Sequence, residues 1–392
     1  MHYILYIRTR SIFITRGILY MRDLSHIRHV IVKVGSSSLT DQNGKINDEK
    51  MLKIVSQLAY IKRKGMHVTL VSSGAQAAGM GVLGLDKKPA NMSQKQALAA
   101  IGQAKLMEHY EDLFRIFDVK CAQILVNHGD FDDRKRLANL TNAMEALLNY
   151  GVIPIINEND TLAVDEIKVG DNDTLASLIV PAVDGDILIL MSDIDGLYDD
   201  NPNENPAARL IPYVSDVKDV EEYAKDSSSA VGTGGMITKI NAARMVNAYG
   251  CDMAILNAGT EDSLRRFIDG EEIGTLFDGH RERDLSSKQH WIMYRSNPKG
   301  RIIVDQGAFQ AIQSRHTSLL PKGIVDVDGD FMMSAVVEIA GPDGELCGKG
   351  IANYSSDEIK LIKGLNTSEI ESVLHYKDYD EVIHANNLVV IR

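Results

Sequence analysis

The chain has few cysteines, and their placement excludes several classes of protein. Cys121, Cys251 and Cys347 are odd in number and widely spaced. No pair has the spacing of a metal site, and the pattern is not that of a disulfide framework. The sequence therefore predicts a reduced, cytoplasmic protein whose thiols are not cross-linked.

The chain also lacks a long apolar run and an excess of basic residues. No apolar stretch reaches the roughly eighteen residues that span a bilayer, so we expect no membrane association. The net charge of −12 argues against a general nucleic-acid binder, which carries a basic surface. An anionic small substrate is still compatible with this charge, because a local group of lysines outweighs the overall sign.

Familiar nucleotide and hydrolase motifs are missing. There is no G-x-x-x-x-G-K-[ST] loop and no set of protein-kinase motifs. No G-x-G-x-x-G follows the first apolar strand, and no Ser-His-Asp signature is present. A nucleotide-dependent function would therefore need a different kind of phosphate site.

The pattern that is present predicts an α/β fold. From His29 to Gly279, apolar runs such as "HVIVKVG" and "GDILILMSD" alternate with amphipathic segments such as "DEKMLKIVSQLAYIKRKG". Strands that alternate with helices form a mainly parallel sheet covered by helices on both faces. At 392 residues the chain is long enough for two domains. The first domain is predicted at 21–279.

The residue patterns at the two ends of the chain differ from that of the first domain. Residues 1–20 lack the uninterrupted apolar core and the cleavage site of a signal peptide, and are interpreted as an N-terminal extension outside the fold. Residues 280–289 form a polar linker, typical of a boundary with few packed contacts. Short strands with turn signals then predict a small β-rich domain at 290–370. A tail at 371–392 ends in "NNLVVIR", which favours one more strand.

Polar residues gather after five predicted strands. The clusters are "KVGSSSLT", "SSGAQAAG", "INENDTLAVDEIKVGDNDTLA", "SDIDGLY" and "GTGGMITK". In parallel sheets, ligands bind at the carboxyl ends of the strands, so these clusters are predicted to share one cleft. Glycine lets backbone N–H groups approach phosphate oxygens, and a following helix N-terminus adds positive charge. Lys33 and Lys239, each beside such a glycine, would neutralise a phosphoryl group from two sides.

Each of these assignments has a structural alternative. Lys33 would otherwise be a solvated lysine at a strand end. Lys239 would be an ordinary cation on a helix face, although the macrodipole disfavours a cation in the first turn. Asp171 or Asp173 would serve only as the N-cap of the helix that begins near "TLASLIV".

Four of the segments quoted above carry a resemblance. "VKVGSSSLT", "VSSGAQAAG", "INENDTLAVDEIKVGDNDTLA" and "VGTGGMITK" resemble the signature segments of the glutamate 5-kinases, a branch of the amino-acid kinase family. "LLPKGI" and "GKGIANYSS" resemble the PUA domain often appended to bacterial members. The resemblance implies ATP-dependent phosphorylation of the γ-carboxylate of L-glutamate, which gives L-glutamyl 5-phosphate and ADP in the first step of proline biosynthesis. The N-terminal extension departs from the family pattern.

The resemblance also implies roles for individual residues. The catalytic set is Lys33, Lys239, Asp173 and Lys168, in which Asp173 holds the first two lysines by ion pairing. Lys168 is assigned either to a substrate carboxylate or to the transferred phosphoryl group. The substrate contacts are Ser73, Asp160 and Asn172. The ATP contacts are Lys33, Ser192, Asp193, Thr233, Gly234, Gly235, Met236, Ile237, Thr238 and Lys239, with Asp193 on the ribose or on a metal.

Cofactors and partners follow from the same resemblance. ATP is expected with Mg²⁺ on its phosphates, and no protein ligand is assigned to the metal. The partners are L-glutamate as substrate, L-proline as feedback inhibitor, a second copy of the chain in a dimer or tetramer, and the next enzyme of the proline pathway as receiver of the product.

Two other functions were weighed against this one. A PUA domain is also found in RNA-modifying enzymes, but residues 290–364 carry eight Lys/Arg and nine Asp/Glu, without the cationic excess that phosphate binding requires. Within the kinases, a relative acting on another acidic amino acid or on a carbamate-like anion is the alternative.

Overall fold

The computed structural model describes residues 22–41, 43–162, 172–202, 204–224, 235–279, 289, 291–315 and 317–391. Within these ranges the chain forms an eight-stranded, a five-stranded and a two-stranded β-sheet. The eight-stranded sheet has an apolar core on each face, and the five-stranded sheet has a further core. No helix in the described ranges combines the length and the apolar character needed to cross a membrane.

The large sheet has eight strands in the order β3-β4-β2-β1-β5-β9-β10-β8. Its neighbours pair in parallel, except that β10 runs antiparallel to β9. The strands are β1 (His29–Val34), β2 (His67–Ser72), β3 (Cys121–Val126), β4 (Ile153–Glu158), β5 (Ile187–Ser192), β8 (Tyr213–Val214), β9 (Asp252–Asn257) and β10 (Thr275–Phe277), while β6 (Leu197–Tyr198) and β7 (Leu210–Ile211) form a separate antiparallel pair.

Helices lie between these strands. They are α1 (Asp48–Arg63), α2 (Ala75–Leu83), α3 (Met92–Arg115), α4 (His128–Asp132), α5 (Arg134–Asn149), α6 (Asn172–Val183), α7 (Met236–Asn247) and α8 (Ser263–Ile268). The predicted strand and helix segments are confirmed. Gly65 follows α1 with a φ of +87°, a conformation that glycine adopts without strain.

The strands bury side chains on both faces of the sheet. In β1, Val30, Val32 and Val34 enter one core, which also contains residues of α1, α3 and α8. Ile31 points to the opposite core, which contains residues of α6 and α7. Alternating side chains on a strand point to opposite faces, so a continuous apolar run fills two cores. This confirms the predicted fold class.

The C-terminal region forms a five-stranded sheet in the order β12-β11-β13-β14-β15. Its elements are β11 (Gly300–Val304), α9 (Gln306–Arg315), β12 (Ile324–Gly329), β13 (Val336–Ala340), β14 (Leu346–Ile351), α10 (Ser356–Ile362), α11 (Ile370–Leu374) and β15 (Leu388–Val390). The strand predicted in "NNLVVIR" is confirmed as β15, which pairs with β14. The segment interpreted as a tail therefore ends inside this sheet.

A single π-helical turn at Trp291–Arg295 joins the two regions. The indole nitrogen of Trp291 donates to the carbonyl oxygen of Phe131, in α4, at 2.6 Å. Ile292 is fully buried in a cluster with Val336 and Ile351 of the second sheet. The linker predicted at 280–289 lies outside the described residues except for 289, and directly after it the apolar side chains of Trp291 and Ile292 pack against α4 and the second sheet.

Candidate functional site

A buried ionic cluster lies at the carboxyl end of the large sheet. Asp173 Oδ1 lies 2.6 Å from Lys33 Nζ, and Asp173 Oδ2 lies 2.9 Å from Lys239 Nζ. Asp173 is fully buried, and the two lysines are 8% and 6% exposed. The three side chains together carry one more cation than anion. A buried net positive charge of this kind is stabilised by an anionic ligand.

Three separate elements bring these charges together. Lys33 lies near the end of β1, and its ammonium group is close to Gly35, where the chain turns. Asp173 lies in the first turn of α6, and Lys239 in the first turn of α7. The alternative that Asp173 acts only as an N-cap is wrong, because its carboxylate bonds to both lysines.

The lysines keep Asp173 ionised. Burial by itself raises the pKa of this carboxyl, but the ammonium groups of Lys33 and Lys239 act in the opposite direction and hold the pKa below its usual range. Thr238 adds a contact of 3.4 Å from its hydroxyl to Asp173 Oδ2. The carboxylate therefore fixes the positions of both cations.

Among the described residues, no side chain caps the start of α7. Gly235 is its N-cap residue and has no side chain to do so. A Cβ atom built on Gly235 would meet no described atom within 4 Å. Uncapped N–H groups at a helix N-terminus are a site for phosphate oxygens. Lys239 thus sits one turn from backbone donors that suit an anion.

A neutral amide network lies beside the charged cluster. Asn172 Nδ2 donates to Ser73 Oγ at 2.7 Å, to the Ser72 carbonyl oxygen at 3.2 Å and to Asn157 Oδ1 at 3.4 Å. Asn157 Nδ2 in turn donates to Gln103 Oε1 at 2.9 Å. The network connects the ends of β2 and β4 with α3 and α6.

The hydrogen bonds of this network determine which polar atoms of Asn172 and Ser73 remain able to bond to a substrate. Because Asn172 uses Nδ2 for its neighbours, its Oδ1 is the atom left to accept a hydrogen bond. Ser73 Oγ accepts from Asn172, so its own hydroxyl hydrogen is left to donate. Together they offer one acceptor and one donor, which suit the ammonium and a carboxylate of an amino acid.

A small cleft adjoins this network. It is lined by Ala75, Ala99, Gln103, Leu125, Glu158, Asn159, Asp160 and Thr161. Asp160, one of the predicted substrate contacts, supplies a carboxylate to its wall. The cleft opens where β3 and β4 end, at the same edge of the sheet as Ser73 and Lys33.

The remaining predicted residues are distributed as follows. Ser192 ends β5, and its hydroxyl donates to Asp193 Oδ1 at 3.2 Å, at the same sheet edge as Lys33. Met236 packs against the core, whereas Ile237 is 52% exposed. Lys168, Thr233, Gly234 and Asp171 lie outside the described residues.

Sequence reasoning missed two residues of the network. Asn157 stood inside the quoted "INEND" stretch, and its position at the end of a strand was the signal that would have selected it. Gln103 lies in the middle of α3, where no strand-end rule applies. Only packing of that helix against α2 brings it to the cleft.

The described residues contain no group of three or more His, Cys, Asp or Glu side chains arranged to hold a metal ion. The donors at the site are instead lysine ammonium groups, backbone N–H groups and amides. This set suits an anionic ligand.

Each of the two parts of the chain matches a known protein family. The model of the amino acid kinase family matches residues 28–257, and that of the PUA domain matches residues 300–374. The chain is 46% identical to the glutamate 5-kinase of Carboxydothermus hydrogenoformans, over 95% of this chain and 100% of that protein. It is 44% identical to the glutamate 5-kinase of Geobacter sulfurreducens, over 94% and 99%.

Among solved structures, the chain is similar to the UMP kinase of Ureaplasma parvum. The TM-score is 0.46 at 12% identity, and the match covers 64% of this chain and 99% of that one.

Proposed function

The chain belongs to the amino acid kinase family and, within it, to the glutamate 5-kinases, and we propose that it transfers the γ-phosphoryl group of ATP to the γ-carboxylate of L-glutamate. The observation that carries this proposal is the buried cluster of Lys33, Asp173 and Lys239 at the carboxyl end of the sheet. The products are L-glutamyl 5-phosphate and ADP, and the acyl phosphate is the first intermediate of proline biosynthesis.

The acceptor needs no general base. A γ-carboxylate has a reference pKa of about 4.3 and is ionised at neutral pH. One of its oxygens forms the new bond to the γ-phosphorus while the bond from that phosphorus to the β,γ-bridging oxygen breaks. The obstacle is that an anion must approach an anion, so positioning and charge stabilisation supply the catalysis.

Lys33 and Lys239 meet this need in our proposal. Their ammonium groups converge on Asp173 from different elements, so the carboxylate fixes the position of each relative to the other. Preorganised cations of this kind stabilise the charge on the equatorial oxygens without rearranging during transfer. The backbone N–H groups at the start of α7 would hold the ATP phosphates alongside them.

The amino-acid side of the cleft is formed by Asp160, Asn172 and Ser73. Asp160 and the amide oxygen of Asn172 would accept hydrogen bonds from the substrate ammonium. The hydroxyl of Ser73 would donate to a substrate carboxylate. The side chain of Asn172 lies one residue from Asp173, so glutamate held by it would present its γ-carboxylate towards the lysines.

The nucleotide side is proposed to include Ser192 and Asp193 at the end of β5, with the segment from Thr233 to Lys239. Lys168 is proposed to contact either the substrate carboxylate or the phosphoryl group. Mg²⁺ fits the site as a counter-ion on the ATP phosphates, because the described residues offer no cluster of carboxylates to hold it. When bound, it would neutralise phosphate charge.

Wider features of the family are part of the proposal. We expect feedback inhibition by L-proline, assembly into a dimer or tetramer, and transfer of the product to the next enzyme of the pathway. We also propose residues 21–279 as the kinase domain and residues 290–370, with β15, as the PUA-like domain. None of the three cluster side chains comes from the second sheet, which supports a catalytic role for the first alone.

Trapping of the acyl phosphate tests the proposal. Purified protein is incubated with ATP, Mg²⁺ and hydroxylamine, and the hydroxamate is measured with L-glutamate, L-aspartate or N-acetyl-L-glutamate. We expect hydroxamate from L-glutamate and an equal amount of ADP. Turnover of aspartate without turnover of glutamate would contradict the assigned substrate, and absence of hydroxamate from all three would contradict the reaction.

A further inference from the structure

Gln103 reaches the cleft because α2 and α3 pack at backbone distance. A Cβ atom on Gly102 would lie 1.8 Å from the Ala75 carbonyl oxygen, and one on Gly79 would lie 2.1 Å from the Leu98 carbonyl oxygen. Only glycine permits such contact at both positions. The residue after Gly102 is thereby placed beside the start of α2, with its side chain 9% exposed.

The direction of the amide network can be followed from one backbone atom. The Ser72 carbonyl can only accept, so Asn172 presents Nδ2 to it and to Asn157 Oδ1. Asn157 therefore donates through its own Nδ2, and the atom it meets on Gln103 is the acceptor Oε1. This leaves Gln103 Nε2, with two N–H groups and no described acceptor, on the side of the cleft.

The surroundings of this nitrogen limit what it would bind. The acidic residues among those that line the cleft are Glu158 and Asp160, and the other described lining residues are uncharged. Nε2 is not among the fully buried unpaired atoms of the described residues, so it is accessible to an acceptor that enters the cleft. An α-amino acid places a carboxylate one bond from the carbon that bears its ammonium. The carboxylate of such a substrate would accept from the amide of Gln103, while its ammonium would bond to the carboxylate of Asp160 in the same cleft.

The position of Gln103 also selects one of the two carboxylates of glutamate. Asn157 and Asn172 separate Gln103 from Asp173 and its lysines, where phosphoryl transfer is proposed. The group at the far end of the substrate is the α-carboxylate.

We propose that Gln103 is a specificity-determining residue that donates a hydrogen bond from Nε2 to the α-carboxylate of the amino-acid substrate, while Asn157 fixes its orientation. This inference rests on the proposed function, since it names a contact of the same amino-acid site. Asn157 is a positioning residue in this scheme, because it acts through the two amides on either side of it.

The test compares Gln103→Glu with Gln103→Met in the full-length protein. Gln103→Glu keeps the length of the side chain and an oxygen for Asn157, but replaces the donor with a carboxylate oxygen. A buried polar contact reversed in this way should raise the glutamate KM about 30-fold at pH 8, with kcat and the ATP KM within about threefold of the parent. Gln103→Met removes both contacts without adding charge, and should raise the glutamate KM about tenfold.

A second measurement separates a direct contact from a structural effect. Burial and the nearby carboxylates of Glu158 and Asp160 would raise the pKa of the introduced carboxyl group. Once protonated, that group donates a hydrogen bond as the amide does. The ratio of the Gln103→Glu glutamate KM to that of the parent should therefore fall about threefold or more between pH 8 and pH 6, whereas the ratio for Gln103→Met should stay constant.

Three outcomes would overturn the inference while the proposed function stands. The first is a glutamate KM within twofold of an active parent in both variants. The second is tighter glutamate binding by Gln103→Glu, which would place the substrate ammonium beside Gln103. The third is a rise in the ATP KM equal to that in the glutamate KM, which would show a general structural role. A parent that forms no glutamyl hydroxamate would instead overturn the proposed function, and this inference with it.

Discussion

The same strands carry polar groups at both ends of the large sheet, but the partners of these groups differ between the two ends. β1 begins with His29 and has Lys33 near its end. At the amino end, carboxylates accept from backbone N–H groups, and Asp252 also pairs with the side chain of His26 at 3.0 Å. Asp186 Oδ2 accepts from the backbone N–H groups of Arg28 and His29, and Asp252 Oδ1 accepts from that of Gly279. At the carboxyl end, Lys33 is paired with another side chain.

This difference distinguishes polar groups that stabilise the sheet from those that we propose act in catalysis. A carboxylate that accepts backbone N–H groups has a neutral, local partner and needs no ligand. Asp173, by contrast, is shared by two ammonium groups that come from β1 and α7, and the cluster keeps a positive charge. Groups at the amino end hold the sheet together, whereas the cluster at the carboxyl end places two ammonium groups on one carboxylate. The predictions below compare the two ends, from the largest expected effect to the smallest.

Asp173→Asn should have the largest effect. Without the carboxylate, two buried ammonium groups repel each other and lose their fixed positions, so kcat should fall about 1000-fold. Asp186→Asn at the amino end is the matched control, because it should lower stability while kcat stays within about twofold. Steady-state kinetics on both variants, with circular dichroism, measures this. An equal loss of kcat in both would remove the distinction between the ends.

Lys239→Ala should lower kcat about 100-fold and leave the glutamate KM nearly unchanged, because the lost charge acts on the transferring phosphoryl group. Arg244→Ala is the control, since it removes a cation of the same helix that pairs with Glu221 away from the site. The hydroxylamine assay gives both constants. A kcat for Lys239→Ala within twofold of the parent would exclude Lys239 from catalysis.

His29 should make stability depend on pH without affecting turnover. Its Nδ1 donates to the Val183 carbonyl oxygen and its Nε2 accepts from the Thr69 hydroxyl, and burial lowers its pKa to about 4. Below the unfolded pKa of about 6.5, the unfolded chain binds a proton that the folded chain does not. Stability from this group is therefore complete above pH 6.5, and about 2 kcal/mol of it is lost by pH 5.

Urea unfolding of the parent and of His29→Gln, at pH 7.5 and pH 5, measures this difference. The free energy of unfolding should fall more for the parent by about 2 kcal/mol. Equal pH dependence in the two proteins would show that His29 is protonated in the folded state. Turnover at pH 7.5 should be the same in both.

Asp160→Ala and Asn172→Ala should each raise the glutamate KM about tenfold and spare the ATP KM, because each removes one polar contact to the amino acid. Thr161→Ala, on the same cleft wall, provides a comparison in which no charge is lost. If the ATP KM rises and the glutamate KM does not, the two sides of the cleft have been exchanged in our assignment.

Trp291→Phe should have the smallest effect. It keeps the aromatic packing but removes the hydrogen bond to the Phe131 carbonyl, so the free energy of unfolding should fall by about 1 kcal/mol. The glutamate KM should change by no more than about twofold, because the bond supports α4 from outside the cleft. A larger change would mean that the second sheet controls the carboxyl end of the first.

The sequence by itself determined the alternation of strands and helices. Apolar runs of strand length and amphipathic segments of helix length are local patterns, and they located β1, β2, β3, β4, β5 and β9. The strand-end rule then predicted that five polar clusters share one edge, because parallel strands deliver their following loops to one edge, whereas the roles of Ser73 and Asp173 came from the family resemblance. These inferences depend only on neighbouring residues and on the regular geometry of a parallel sheet.

Tertiary structure alone decided which polar groups meet. From the sequence alone, Asp173 was also compatible with a role only as a helix N-cap. The approach of α7 to β1 places its carboxylate between two lysines. Gln103 carries no local signal, because its place at the cleft depends on Gly79 and Gly102 allowing two helices to touch. Such contacts join residues far apart in the chain, and their distances are fixed by packing that no local pattern records.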